Sequence, residues 1–142
     1  MASVNDFPAR GKIIKTQDHI VVFAPTNTNY ELHLTDKSGL DGIPAGMIEA
    51  LLRVSGRKIW TVKSGGNFIE PIFGPPRKIQ GRIRYLDDQQ MVVQAGTPII
   101  VALPSDPAAY DMSHGMLTVG DLVNVSLLPG GTFECLGNAV AK

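Results

Sequence analysis

Residues 11–18 read GKIIKTQD, and residues 81–88, seventy positions later, read GRIRYLDD. Each copy precedes a second similar stretch, which reads IVVFAPT at residues 20–26 and MVVQAGT at residues 91–97. Similarity over a period much longer than a solenoid repeat is typical of duplicated domains. The sequence therefore predicts an internal duplication. The alternative is that two β-meanders look alike because they share the same period.

Each half contains five short apolar stretches separated by Gly, Pro, Asp and Ser, a pattern that predicts strands. Two pairs of these strands are predicted to form hairpins, one around Ser55 and Gly56 and one around residues 129–131 (PGG). Residues 45–53 also fit a helical period, but their repeat partner is rich in β-branched residues, so we favour a strand. The predicted strands are residues 12–16, 19–24, 30–34, 46–54 and 58–62, then 81–86, 90–95, 98–103, 121–128 and 132–136.

Five antiparallel strands in each half predict closure into a small barrel, since closure removes exposed edges. We expect two tandem, internally duplicated five-to-six-stranded small β-barrels, OB-like or SH3-like, packed together. The first covers residues 8–64 and the second residues 78–138. The apolar connector 65–77 is expected to pack between them through Phe68, Ile69, Ile72 and Phe73. The alternative is a single ten-stranded sandwich.

The charges of the chain balance, with 13 Lys and Arg against 13 Asp and Glu. A protein that binds phosphate backbones by electrostatics alone usually carries a basic excess. The balanced charge therefore argues against general nucleic-acid binding, although it is compatible with a local basic patch.

Cys135 is the only cysteine, which excludes an internal disulfide framework. The first twelve residues, MASVNDFPARGK, lack the apolar core of a signal peptide, and no stretch approaches the length of a membrane span. We therefore expect a cytoplasmic protein without membrane contact.

No motif for catalysis, metal binding or a cofactor stands out. His19, His33 and His114 are too dispersed for ligand spacing, and no nucleophile elbow or phosphate-binding glycine loop occurs. Ser113 precedes His114 without an orienting acid at a recognisable spacing. The pair Asp87 and Asp88 is explained by turn chemistry. We expect no enzyme and no cofactor, and keep an enzyme with a cleft between the halves as a remote alternative.

Two similar bends carry Asp and Ser before Gly, at residues 36–39 (DKSG) and 111–115 (DMSHG). Side-chain capping of the bend explains both. The second bend, followed by VGDLVNVSL at residues 119–127, also resembles the DxSxxG strand of PilZ domains, a resemblance that implies binding of cyclic di-GMP. Its last glycine falls one place early, and the RxxxR pair of that family has no well-placed match among Arg77, Arg82 and Arg84.

A basic and aromatic cluster lies on the last predicted hairpin of the first half. Lys58 and Trp60 share one face of a strand, and Arg57 and Lys63 flank it. An exposed Trp among cations can stack a nucleic-acid base, so these four residues are the candidate ligand site. The structural alternative is that Trp60 packs against the connector or the other half.

The prediction that follows is a non-catalytic binding or scaffold module, which acts through a surface between the halves or as a homo-oligomer or with a protein partner. The unbroken apolar run Ile99–Val101 supports an oligomer, because such a run needs cover on both faces. The alternative is an OB-type module for single-stranded nucleic acid or a nucleotide that uses the Trp60 cluster.

Overall fold

The computed structural model describes residues 3–111 and 116–138, which form an all-β fold without a helix of seven or more residues. This confirms the all-β prediction. Two short 3₁₀ helices cover Val4–Asp6 and Pro107–Ala109. The strands are β1 Ala9–Gln17, β2 Ile20–Pro25, β3 Glu31–Asp36, β4 Ile48–Thr61, β5 Phe68–Glu70, β6 Phe73–Gly74, β7 Lys78–Leu86, β8 Gln90–Gln94, β9 Pro98–Ala102, β10 Tyr110–Asp111, β11 Leu122–Leu127 and β12 Thr132–Asn138.

All twelve strands belong to one mixed sheet. Its main path runs β1-β2-β3-β12-β4-β11-β7-β8-β9, and β4 also pairs with β1, β9 and β10. The two remaining short strands pair at the side of this path, β5 with β7 and β6 with β3. The prediction of two tandem barrels is wrong, because β4 joins strands of both halves into one sheet.

Strand β4 is one continuous strand of 14 residues. Its first part pairs with β1 and β12, and its last part pairs with β11. The predicted hairpin around Ser55 and Gly56 is therefore absent. Gly56 is buried, and a side chain there would lie 3.3 Å from the carbonyl oxygen of Ala102 on the neighbouring β9. The chain continues through this position as a paired strand, because Ser55 pairs with Ala102 and Gly56 pairs with Leu127.

The second predicted hairpin is also absent, although residues 129–131 do connect two strands. β11 pairs with the last part of β4 and with β7. β12 pairs with the first part of β4 and with β3, so β11 and β12 do not pair with each other. The C-terminal strand β12 thus crosses to the first half, where Thr132 pairs with Thr35 and Phe133 with Asp36.

The run Ile99–Val101 finds cover on both faces within the chain. Ile99 and Val101 lie in the main core, and Ile100 lies in a smaller cluster with Val4, Leu51 and Val92. The N-terminal 3₁₀ helix supplies Val4, so the segment that precedes β1 covers the outer side of this run. The run therefore gives no support for an oligomer.

The connector between the halves is only partly packed. Ile69 is 2% exposed and Phe68 is half-buried, whereas Ile72 and Phe73 are 62% and 63% exposed. The expectation that all four side chains pack between the halves is wrong for Ile72 and Phe73. The reason is that β6 adds to the side of β3, so its side chains are not enclosed by the sheet.

The same local irregularity occurs in β1 and β7. The β1–β2 register shifts between Ile13 and Lys15, and the β7–β8 register shifts between Ile83 and Tyr85, seventy residues later. Two glycines precede these bulges by the same number of residues. A Cβ on Gly11 would lie 2.2 Å from the carbonyl oxygen of Ala24, and one on Gly81 would lie 2.1 Å from that of Gln94.

We expect Gly11→Ala and Gly81→Ala each to lower the free energy of unfolding by about 1–3 kcal/mol, because the added methyl group overlaps backbone that cannot move aside. Urea denaturation followed by circular dichroism measures this change. Gly66→Ala is the control, since a Cβ there meets nothing within 4 Å. Equal stability of all three variants would contradict the close approach.

Candidate functional site

The predicted site residues lie near the end of β4, but only two share a face. β4 has a bulge opposite Ser126 and Leu127, which pair with Lys58 and Gly56 and leave Arg57 as the extra residue. Before the bulge, Val54 faces the core, and after it Ile59 does, so Lys58 and Trp60 face outward. Lys63 is exposed beyond the strand end.

Trp60 is half-buried on this outward face, with a cation close to its ring. The ammonium nitrogen of Lys78, on β7, lies 5.8 Å from the ring centroid. Contacts of this kind contribute about 0.5–1 kcal/mol at partly exposed sites. Lys78 was not among the predicted site residues, because it comes close to Trp60 only through the pairing of β4, β11 and β7.

A row of polar side chains continues from Trp60 across the sheet. Trp60 pairs with Asn124, which pairs with Gln80 on the other side. Asn124 is only 9% exposed, and its side-chain oxygen has no hydrogen-bond partner among the described residues; the same is true of the buried hydroxyl of Ser126. A buried polar atom without a partner costs about 1–3 kcal/mol. We call Lys58, Trp60, Lys78, Asn124 and Ser126 the Trp60 face.

An arginine cleft of about 330 Å³ lies beyond Gln80 on the same side of the sheet. It is formed by the loop of residues 65–67 and by the side chains of Arg82, Arg84 and Gln94, together with Leu122. Arg82 donates to the carbonyl oxygen of Gly120 at 2.9 Å, and Arg84 donates to the side-chain oxygen of Gln94 at 3.1 Å. The two ion pairs found among the described residues involve neither arginine.

A third surface consists of Ile72, Phe73 and His33, which we call the connector surface. Phe73 packs edge-on against the ring of His33, with centroids 4.5 Å apart. Leu32 and Leu34 face the core, and His33 lies on the other face of β3. Its Nε2 atom is buried and has no hydrogen-bond partner among the described residues.

The bend after β3 is held by Asp36. Its carboxylate accepts from the backbone nitrogens of Ser38 and Leu40 at 2.9 Å each and also from the Ser38 hydroxyl. The hydroxyl in turn accepts from the backbone nitrogen of Cys135 on β12, at 3.1 Å. This first Asp-x-Ser-Gly bend therefore ties β3 to the C-terminal strand. Most of the second bend, residues 112–115, lies outside the described residues, as do Ser113 and His114.

The carboxylate of Asp87 is also accounted for by its turn. It accepts from the backbone nitrogens of Gln89 and Gln90 at 2.8 and 2.9 Å and from the Tyr85 hydroxyl at 3.0 Å. The two backbone hydrogen bonds lower the pKa of Asp87 below its ordinary value. Within the described part of the chain, no three His, Cys, Asp or Glu side chains are grouped so as to hold a metal ion.

We expect Asp36→Ala to lower the free energy of unfolding by about 1 kcal/mol at pH 7, as loss of a capping side chain does. Burial raises the pKa of Asp36, but the hydrogen bonds from Ser38, Leu40 and Gly39 outweigh burial and lower it below 3.8. The stabilisation is therefore present above about pH 3.8 and is lost as the pH falls through the lowered pKa. Thermal unfolding of wild type and variant from pH 7 to pH 2 tests this.

The control for this prediction is Asp41→Ala, which changes an exposed aspartate in the following loop. The difference in stability between wild type and Asp36→Ala is expected to become smaller at low pH. Asp41→Ala is expected to be as stable as wild type at every pH. A gap for Asp36→Ala that stays constant with pH would contradict the role of the charged carboxylate.

Among the described residues, no helix is long and apolar enough to cross a membrane. Comparison with models of protein families, with curated proteins and with solved structures gives no significant match.

Proposed function

We propose that the chain is a non-catalytic, cytoplasmic binding module that associates with a second copy of itself through the connector surface. The observation that carries this proposal is the exposure of Ile72 and Phe73, two adjacent large apolar side chains that are each more than 60% exposed. Adjacent exposed apolar side chains of this size are typical of contact surfaces between proteins.

The backbone holds these two side chains in a defined place. Glu31 donates from its backbone nitrogen to the carbonyl oxygen of Ile72 at 2.8 Å, and the Tyr30 hydroxyl accepts from the backbone nitrogen of Ile69 at 3.1 Å. The backbone nitrogen of Arg77 donates to the carbonyl oxygen of Glu70 at 2.8 Å, which closes the segment at its other end. Because the segment is fixed before it binds, little ordering entropy opposes association.

Charge does not oppose contact between copies. The formal net charge of the chain is zero, so copies lack the long-range repulsion that keeps highly charged proteins apart. An apolar contact between copies is expected to depend little on salt, because only exposed charges are screened.

We expect a multimer whose mass, measured by light scattering, is the same at low and high salt. Phe73→Ser is expected to raise the dissociation constant of the multimer by about tenfold or more, since burial of a Phe side chain contributes about 1.5–3 kcal/mol. Val119→Ser is the control, because Val119 is 62% exposed elsewhere on the chain. A wild-type chain that is monomeric under all conditions would refute self-association.

A second candidate function is binding of single-stranded nucleic acid at the Trp60 face. The observation that favours it is the position of Lys58 and Lys78 beside the half-buried Trp60, next to the unpartnered side-chain oxygen of Asn124. Base stacking on an aromatic ring with neighbouring cations is the usual basis of such binding. Arg57, the extra residue of the bulge, and Lys63, which follows the end of β4, are exposed and carry further positive charge.

Trp60 is the only tryptophan of the chain, so its fluorescence reports directly on this candidate. We expect a short oligothymidylate to quench the fluorescence at low salt and to lose affinity steeply as salt rises, because phosphate contacts release counterions. Lys78→Gln is expected to weaken the binding, whereas Lys12→Gln, exposed on β1, leaves it unchanged. Fluorescence that stays constant during the titration would exclude this candidate.

We also propose that the two halves of the chain are an internal duplication. It is supported by the two bulges and the two close-approach glycines, Gly11 and Gly81, at a constant offset of seventy residues. It is also supported by the parallel pairings at the end of each half, where β3 pairs with β12 and β9 pairs with β4. In this interpretation the last strand of each half, β4 or β12, pairs in parallel with a strand of the other half, β9 or β3.

A further inference from the structure

We propose that the arginine cleft is a binding site for a phosphate group, distinct from both surfaces above. Within the described part of the chain, its lining contains two guanidinium groups and no carboxylate. A guanidinium presents donors in a planar fork that matches phosphate oxygens, so two of them at one cleft favour this anion. The ligand is either free phosphate or the phosphoryl group of a larger molecule.

The two guanidinium groups are oriented but have donors to spare. Arg82 is anchored by its bond to Gly120, and Arg84 by its bond to Gln94, the residue that pairs with Arg82 across β7 and β8. The Arg84 guanidinium also lies 5.4 Å from the ring centroid of Phe7. Each of these hydrogen bonds uses one of five N–H donors, so both groups can still donate to an anion.

The loop that forms the other side of the cleft is fixed by Gln80. The side-chain nitrogen of Gln80 donates to the carbonyl oxygen of Gly66 at 2.7 Å. Gly65 has a φ of +144°, and a Cβ there would lie 2.5 Å from that same nitrogen, so glycine is needed at this position. Gln80 itself is 8% exposed, which makes it a rigid support for the loop.

The loop also offers backbone donors. Gly65, Gly66 and Asn67 are exposed, and their backbone nitrogens donate to no acceptor within the described ranges. Consecutive free N–H groups in a turn form a concavity that attracts anions. The cleft therefore combines two fixed cations with a loop whose donors are free, an arrangement that neither the Trp60 face nor the connector surface has.

The test is a titration of ¹⁵N-labelled protein with inorganic phosphate at constant ionic strength, followed by NMR. We expect saturable shifts of the amides of residues 65–67 and of the Nε–H groups of Arg82 and Arg84. Arg84→Gln is expected to weaken phosphate binding at least tenfold, and Arg84→Lys is expected to weaken it less, because the charge stays and the fork is lost. Arg77→Gln, an exposed arginine outside the cleft, is the control.

A parallel titration with adenosine 5′-monophosphate distinguishes the two sources of phosphate. Tighter binding than inorganic phosphate indicates a larger ligand, and equal binding indicates the phosphate group alone. Shifts that do not saturate, or that are the same in Arg84→Gln and wild type, would overturn the proposal. A native-like NMR spectrum of each variant, recorded before the titration, serves as the control that the variant is folded. Because the readout is local, failure here is separate from failure of self-association, which light scattering measures.

Discussion

The structure depends on the pairing of one long strand, β4, with both halves of the chain. Its first part pairs with β1 and β12 and its last part with β11, while β9 pairs in parallel with the residues between. The neighbours from the second half, β9, β11 and β12, thereby gain hydrogen bonds that their own half does not supply. A change that breaks β4 would expose strand edges in both halves, and unpaired edges are costly in a sheet protein. The main core also joins the two halves, since residues of both lie in one cluster.

The bulge at Arg57 decides which side chains of β4 reach the surface. Before it, even-numbered residues such as Leu52 and Val54 face the core, and after it Ile59 does. A regular strand would have placed Lys58 and Trp60 inside, where an unpaired ammonium group is very unfavourable. One extra residue thus turns an aromatic and a basic side chain outward, beside Lys78. The candidate site is a consequence of strand register, because register determines the face on which every later side chain lies.

The outer faces of the sheet are covered unequally. The N-terminal segment covers Ile100 and Val92 with Val4, and Phe73 covers His33 while its own ring stays largely exposed. Ile100 and Val92 are thus fully buried, whereas much of the Phe73 ring remains exposed to water. This difference explains why the connector surface, rather than the run at residues 99–101, is the better basis for proposing self-association.

The sequence by itself determined the all-β class and the turn chemistry at Asp36, since these depend on alternation and on hydrogen bonds between near neighbours. It also indicated Trp60 with Lys58, two residues apart on one strand. Only the tertiary structure decided that β4 is continuous, that β12 crosses to the first half, that Lys78 lies near Trp60, and that Arg82 and Arg84 share a cleft with the loop of residues 65–67. These features depend on pairings between residues far apart in the chain, and local pattern carries no information about which distant strand supplies the partner.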